Sequence, residues 1–154
     1  MNQVSASLPI IPPPDTTGPQ DFGHGVTFEW IEGGRIAVFT MKDSTRASVD
    51  TFINVNIALA EQHRGKTIYI FNDAASPHIS LTPYLRQKVT NLAGTLEALG
   101  ITATMATLVE PGFFSTIAKI FGSILSKSTP HITQNFFNDR DEALDWLKAQ
   151  LSDT

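Results

Sequence analysis

Short β-rich runs alternate with amphipathic helical stretches along most of the chain, and this alternation restricts the fold more than any other feature of the sequence. The first two runs, residues 26–31 and 35–41, flank Glu32-Gly33-Gly34, where glycines supply the positive φ values of a tight hairpin. We predict the remaining strands and helices from hydrophobic periodicity: strands at 67–71, 101–109 and 132–137, and helices at 48–63, 82–99, 113–127 and from 139 onward. The resulting order predicts an α/β fold with a mixed, mostly parallel five-stranded sheet, an antiparallel hairpin at its start, and four helices.

Polar residues at the ends of these segments predict the boundaries. Ser48 is expected to cap the first helix and Thr82 the second. Pro83 follows Thr82, and proline is favoured at the first position of a helix. Asn72 and Asp73 are expected to close the strand before that second helix. Asn56 is the one polar member of the otherwise apolar stripe of the first helix.

The first 25 residues differ in composition from the rest. They are rich in Pro, Ser, Thr and Gly and contain the run Pro12-Pro13-Pro14. Such a segment buries little apolar surface to offset its ordering entropy. We therefore predict a flexible arm over residues 1–25, with a plain leader favoured over a proline-rich ligand, and a single domain over residues 26–154.

Composition excludes several classes of protein. The chain has 154 residues, no Cys and a net charge of -4, with its Lys and Arg scattered, so thiolate chemistry is excluded and nucleic-acid binding is disfavoured. No apolar stretch has the length of a bilayer span, and the start does not resemble a signal peptide, which favours a cytoplasmic location. The four His show no metal-ligand spacing, and phosphate-loop and nucleophile-elbow motifs are missing, so we expect no metal, no cofactor and no enzymatic activity.

Three segments resemble the STAS domain and its SpoIIAA-like relatives. They are Lys66-Thr67-Ile68-Tyr69-Ile70-Phe71-Asn72-Asp73, the Leu99-Gly100-Ile101 start of the Thr/Ala/Val-rich strand, and the ending Phe136-Phe137-Asn138-Asp139-Arg140-Asp141-Glu142-Ala143-Leu144-Asp145-Trp146-Leu147. The last is similar to an F-x-D-x-x-E-A-L-x-W-L ending of uncharacterised bacterial SpoIIAA-like proteins. The resemblance covers about residues 26–151 and implies a non-enzymatic binding or regulatory module.

The loop after the third predicted strand departs from that family. STAS antagonists carry Asp-Ser-Ser-Gly there, with a Ser that a partner kinase phosphorylates, and this chain lacks the signature. The loop nevertheless follows a parallel strand and leads into a helix N-terminus, a place that favours ligands and anions. We predict that a protein partner or small ligand binds this loop through its polar residues, Asp73, Ser76, His78, Ser80 and Thr82. Ser80 and Thr82 are also the candidate phosphorylation sites, because a phosphate there would lie beside the free N–H groups of the helix.

Two other interpretations of that loop stay open. Its Ser and Thr residues are also ordinary helix caps, and Asp ordinarily ends strands. A hydrolase that uses His78 and Asp73 as an acid–base pair is a further alternative, although the sequence shows no nucleophile to go with them.

The helix predicted at 113–127 has more apolar width than one buried stripe requires. Core packing explains this, and so does an exposed surface for a homodimer, an apolar ligand or peripheral membrane contact. The similarity of the SpoIIAA-like fold to CRAL-TRIO lipid-transfer domains favours the second function that we consider, binding of a lipid or another apolar molecule. The residues expected to form this apolar interface are Phe113, Phe114, Ile117, Phe121 and Leu125.

Overall fold

In a computed structural model, the chain forms a six-stranded mixed sheet with helices on both faces; the structure describes residues 8–113, 116, 119 and 131–152. The strands and helices, in chain order, are β1 (Gln20–Gly23), β2 (Val26–Ile31), β3 (Ile36–Thr40), α1 (Arg46–Gln62), β4 (Thr67–Ala74), α2 (Pro83–Ala98), β5 (Thr102–Val109), β6 (Ile132–Phe137) and α3 (Arg140–Ser152). Each strand pairs with its neighbours in the chain, so the order across the sheet is β1 to β6. The pairs β1–β2 and β2–β3 are antiparallel, and the later pairs are parallel.

The α/β class, the antiparallel hairpin and the parallel strands that follow it are confirmed, but the prediction of five strands is wrong. The sixth strand, β1, comes from the segment that was expected to be a flexible arm. It pairs with β2 through a turn at His24-Gly25, and both turn residues have positive φ. A four-residue strand with a single large apolar side chain, Phe22, has too little periodicity to be recognised in a sequence.

The segment that precedes β1 also packs on the folded chain. Ile11 is 4% exposed and belongs to the core, and the indole Nε1 of Trp30 donates a hydrogen bond to the Pro12 carbonyl at 2.8 Å. Pro14 lies against Gly34, where an added Cβ would come within 2.6 Å of it. Residues 11–14 of the proline-rich segment are therefore held against the domain by specific contacts.

Two hydrophobic clusters lie on opposite faces of the sheet. The larger one packs α1 and α2 against the sheet and includes Phe28, Phe39, Leu59 and Leu96. The smaller one packs α3 against β4 and β5 through Phe71 and other residues. Because side chains alternate along a strand, neighbouring residues of β4 and β5 point into different clusters.

The helix boundaries partly differ from the prediction. Thr45, not Ser48, caps α1, with its side chain accepting a hydrogen bond from the Ser48 N–H, and Ser48 lies buried inside the first turn. Thr82 caps α2 as predicted, and Pro83 is its first residue. At α3, the Asp139 carboxylate accepts from the Glu142 N–H at 2.9 Å, so Asp139 caps this helix.

The fourth helix that we predicted, over residues 113–127, lies almost entirely outside the described residues. Three other helices are described, α1 to α3. No helix in the described part of the chain combines the length and the apolar character needed to cross a membrane.

Candidate functional site

Asn72 and Asp73 lie inside β4 rather than after it. The parallel pairing of β4 with β5 continues through Asn72–Thr107 and Asp73–Leu108 to the end of the strand. This pairing corrects the predicted strand end, and it separates the two side chains. Asn72 faces α1 and α2, whereas Asp73 faces α3, where its Oδ2 lies 2.9 Å from an Arg140 guanidinium nitrogen.

The hydroxyl groups of the predicted loop site bind backbone and neighbouring loops. The Ser76 hydroxyl donates to the Lys42 carbonyl at 2.6 Å, and the Ser80 N–H donates to Ser44 Oγ at 2.9 Å. Thr82 Oγ1 is the cap of α2. The Ser76 and Ser80 contacts tie the β4–α2 loop to the β3–α1 loop, and Thr82 has the capping role that the sequence had left open.

His78 is exposed, and it interacts electrostatically with Asp43. Hydrogen bonds from the Ser48 hydroxyl and then from Thr45 lower the pKa of Asp43, and His78 acts weakly in the same direction. Asp73 is engaged by Arg140 on the other face of the sheet. The acid–base pairing of His78 with Asp73, which we considered for a hydrolase, therefore has no support in this arrangement.

The predicted apolar interface falls mostly outside the described residues. Phe113 is described, in a short 3-10 turn at Pro111–Phe113, and is 38% exposed. The other four members, Phe114, Ile117, Phe121 and Leu125, are not among the described residues.

A row of polar side chains crosses the otherwise apolar sheet face below α2. Asn72 on β4 pairs with Thr107 on β5, and Gln134 on β6 pairs with Met105, two residues before Thr107 on the same face of β5. Asn72 Nδ2 donates to Thr107 Oγ1 at 3.3 Å, and Gln134 Nε2 donates to the same oxygen at 2.9 Å. These three residues form the polar base of a cleft whose cavity volume is about 110 Å³.

Apolar side chains form the walls of this cleft. α2 supplies one wall, α1 a second, and the neighbouring sheet positions extend the base, through Leu85, Val89, Leu92, Leu96, Phe52, Met105, Val109 and Ile132. Asn56 on α1 is the remaining polar group of the lining, and its Nδ2 donates to the Phe52 carbonyl at 2.8 Å. No charged side chain in the described part of the chain lines the cleft.

Asn72 carries an unusual polar atom. The residue is 9% exposed, and its Oδ1 is buried without a hydrogen-bond partner among the described residues. Rotating the amide by half a turn would give the Thr107 hydroxyl an acceptor but would leave Nδ2 without one, so one amide atom is unpaired in either orientation. A buried polar atom without a hydrogen-bond partner lowers the stability of a folded protein by about 1–3 kcal/mol.

The predicted loop does reach this cleft, but through its apolar residues. Ile79 is 6% exposed and lines the cleft together with Leu81, and Met41 joins them from the end of β3. Ser76, Ser80 and Thr82 hydrogen-bond within and between the loops, and Ile79 and Leu81 are the loop residues that contribute to the cavity.

The sequence signal for this site is a set of polar residues at otherwise apolar, inward-facing positions. Asn56 was recognised as the polar exception in an apolar helical stripe. Thr107 and Gln134 are similar exceptions on the inward-facing positions of β5 and β6. Their convergence with Asn72 depends on the register of three strands, which spacing within one segment does not determine.

Within the described residues, no group of three or more His, Asp or Glu side chains has an arrangement that could hold a metal ion. The chain matches no protein-family model, no curated protein and no solved structure. The site therefore has to be interpreted from its own geometry and chemistry.

Proposed function

We propose that this chain is a non-enzymatic, STAS/SpoIIAA-like binding module that holds a small, largely apolar molecule in the cleft between the sheet and α2. The observation that carries the proposal is the buried Asn72 Oδ1, which has no partner among the described residues and lies in a cavity with mainly apolar walls. An apolar pocket with a few convergent polar groups is the common form of a small-molecule site.

The position of the cleft supports this proposal. Asn72, Thr107 and Phe136 lie near the carboxyl ends of three adjacent parallel strands, the region where open α/β sheets hold their ligands. The cavity volume of about 110 Å³ is of the same order as an engineered apolar cavity of about 150 Å³ that binds benzene. A single ring is thus a reasonable first test compound.

Binding is favoured over catalysis by the chemistry of the lining. The polar groups that the described residues contribute are amides and one threonine hydroxyl, and none is paired with a base that would activate it. Contact with a protein partner through the 72–82 loop has weaker support, because Ser76, Ser80 and Thr82 are already engaged in hydrogen bonds within the protein.

Methionine methyl groups provide a direct test. Met41 and Met105 line the cleft, whereas the two tryptophans, Trp30 and Trp146, do not. With 13C-methyl-methionine and 15N labelling, titration with toluene should shift both cleft methyl signals in a saturable manner and leave the indole N–H signals in place. Assignment of the methyl signals uses Met41→Leu and Met105→Leu.

A matched pair of substitutions on α2 gives the control. Ala93 lines the cleft and is 6% exposed, and Ala98 is exposed on the same helix. Ala93→Leu should fill part of the cavity and weaken toluene binding, while Ala98→Leu should leave it unchanged. Absence of saturable shifts in the wild type, or equal binding by the two folded variants, would contradict the proposed site.

A further inference from the structure

We infer that the ligand of this cleft is a neutral, ring-sized compound that donates an O–H or N–H hydrogen bond to Asn72 Oδ1. This inference rests on the proposed function and adds the chemical class of the ligand. Its three elements, neutrality, size and the direction of the hydrogen bond, come from separate observations.

Neutrality follows from the lining of the cleft. No charged side chain of the described residues faces it, and the one carboxylate next to Asn72 in sequence, Asp73, points to the opposite side of the sheet and is held by Arg140. An unpaired charge is expensive to remove from water into such surroundings. A carboxylate or an ammonium group on the ligand would have no counter-charge there.

The direction of the hydrogen bond follows from the polar row. Thr107 Oγ1 accepts from both Asn72 Nδ2 and Gln134 Nε2, so the amide donors of this row are directed at the threonine. Gln134 Nε2 also reaches the Asn135 carbonyl at 2.9 Å. In the amide orientation that the structure records, the Asn72 atom left without a partner is an acceptor, Oδ1, and it takes a donor from the ligand. The half-turned amide would leave Nδ2 instead and would take an acceptor such as anisole, so the comparison of phenol with anisole tests the direction.

Size limits the ligand to about one ring plus a substituent, because the cavity volume is about 110 Å³. Phenol, anisole and toluene are each one ring with one small substituent, and they differ mainly in hydrogen bonding. Phenol donates and accepts, anisole only accepts, and toluene does neither. Benzylamine and benzoate add a positive and a negative charge to the same ring at neutral pH.

The experiment compares the affinities of these five compounds, measured by methyl NMR titration at pH 7. Wild-type protein should bind phenol roughly tenfold more tightly than anisole or toluene, the effect of one buried hydrogen bond. Benzylamine and benzoate should bind more weakly than phenol. Asn72→Leu, which keeps the approximate volume without the amide, should lose the preference for phenol and bind toluene at least as tightly as the wild type.

Asn91→Leu is the matched control, because it makes the same side-chain change at an exposed position of α2 outside the cleft lining, and this variant should keep the preference for phenol. Equal binding of phenol and toluene to the wild type would overturn the inference while leaving the proposed function intact. Anisole binding as tightly as phenol would overturn the donor assignment, and tighter binding of a charged ring would overturn neutrality. If none of the five compounds binds, both proposals fail. The wild-type series decides these points even if Asn72→Leu does not fold.

Discussion

Arg140 at the start of α3 and Asp73 near the end of β4 form an ion pair, with 2.9 Å between a guanidinium nitrogen and Oδ2. The guanidinium also lies over the Phe71 ring, 5.0 Å from its centroid. Asp73 therefore fastens the last helix to the middle of the sheet. Its neighbour Asn72 points to the other face, into the cleft, so two adjacent polar residues of one strand have different functions.

We expect Asp73→Asn to weaken this attachment only slightly. Both partners are partly exposed, with 23% of the Asp73 side chain and 52% of the Arg140 side chain accessible, and such pairs contribute about 0.2–1 kcal/mol. Urea denaturation of Asp73→Asn, Arg140→Gln and the double variant would give the coupling energy between the two residues. Toluene binding should be unaffected in all three, and a tenfold loss of affinity in Asp73→Asn would contradict the separation of the two sites.

Stability should depend on pH through Asp43. The Ser48 and Thr45 hydrogen bonds lower the pKa of Asp43 in the folded state, so its carboxylate stabilises the fold above the ordinary pKa of about 3.9 and loses that effect as the pH falls through the folded-state pKa. The difference in unfolding free energy between wild type and Asp43→Asn should be largest near neutral pH and shrink below about pH 4.

Chemical denaturation at several pH values between 7 and 3 measures that difference. Asp15→Asn, which removes an exposed carboxylate from the amino-terminal segment, controls for the change in net charge. A difference between wild type and Asp43→Asn that stays constant over the whole range would show that the hydrogen bonds do not favour the ionised form.

Two adjacent isoleucines report on the packing of the amino-terminal segment. Ile11 is 4% exposed and Ile10 is 84% exposed. Ile11→Ala should lower the free energy of unfolding by about 2–5 kcal/mol, as buried Ile truncations do, whereas Ile10→Ala should change it by less than about 0.5 kcal/mol. Equal, small effects in thermal or urea denaturation would mean that the segment is a flexible arm in solution.

Two adjacent glycines test the contact between the same segment and the β2–β3 turn. Gly33 and Gly34 both have positive φ, so alanine at either position costs about 1–2 kcal/mol in backbone strain. Only at Gly34 would the new methyl group meet Pro14, within 2.6 Å, and overpacking adds about 1–3 kcal/mol. Gly34→Ala should therefore have a clearly lower melting temperature than Gly33→Ala, and the reverse order would contradict the contact between Gly34 and Pro14.

The sequence was sufficient to predict the bounds of the strands and helices that have strong hydrophobic periodicity. β2, β3, β5, β6 and α2 begin and end within a residue or two of the predicted bounds, since each has a regular apolar pattern and a distinct cap or turn. It was not sufficient for β1, which is held by pairing with β2 and has almost no pattern of its own. Local signals also placed the α1 cap at Ser48, when Thr45 provides it three residues earlier.

The candidate site was harder to predict than the fold. The sequence favoured the loop after β4 because its residues are polar. In the structure, Ser76 and Ser80 join two loops, and Thr82 caps α2. The cleft depends on Asn72, Thr107 and Gln134, which are far apart in the chain and meet only through the strand register. The sequence of each strand shows a polar residue at an inward-facing position, but only the assembled sheet shows which of these residues are in contact.

The sequential order of the strands has a consequence for synthesis on the ribosome. Strands β1 to β6 can pair one after another as they emerge, each with the strand made just before it. The face that carries Phe71, Ala106 and Leu108 is covered by α3, which is translated after all six strands. Until then, this apolar surface is available to chaperones or to other nascent chains, so translation pauses or truncation before residue 140 should promote aggregation.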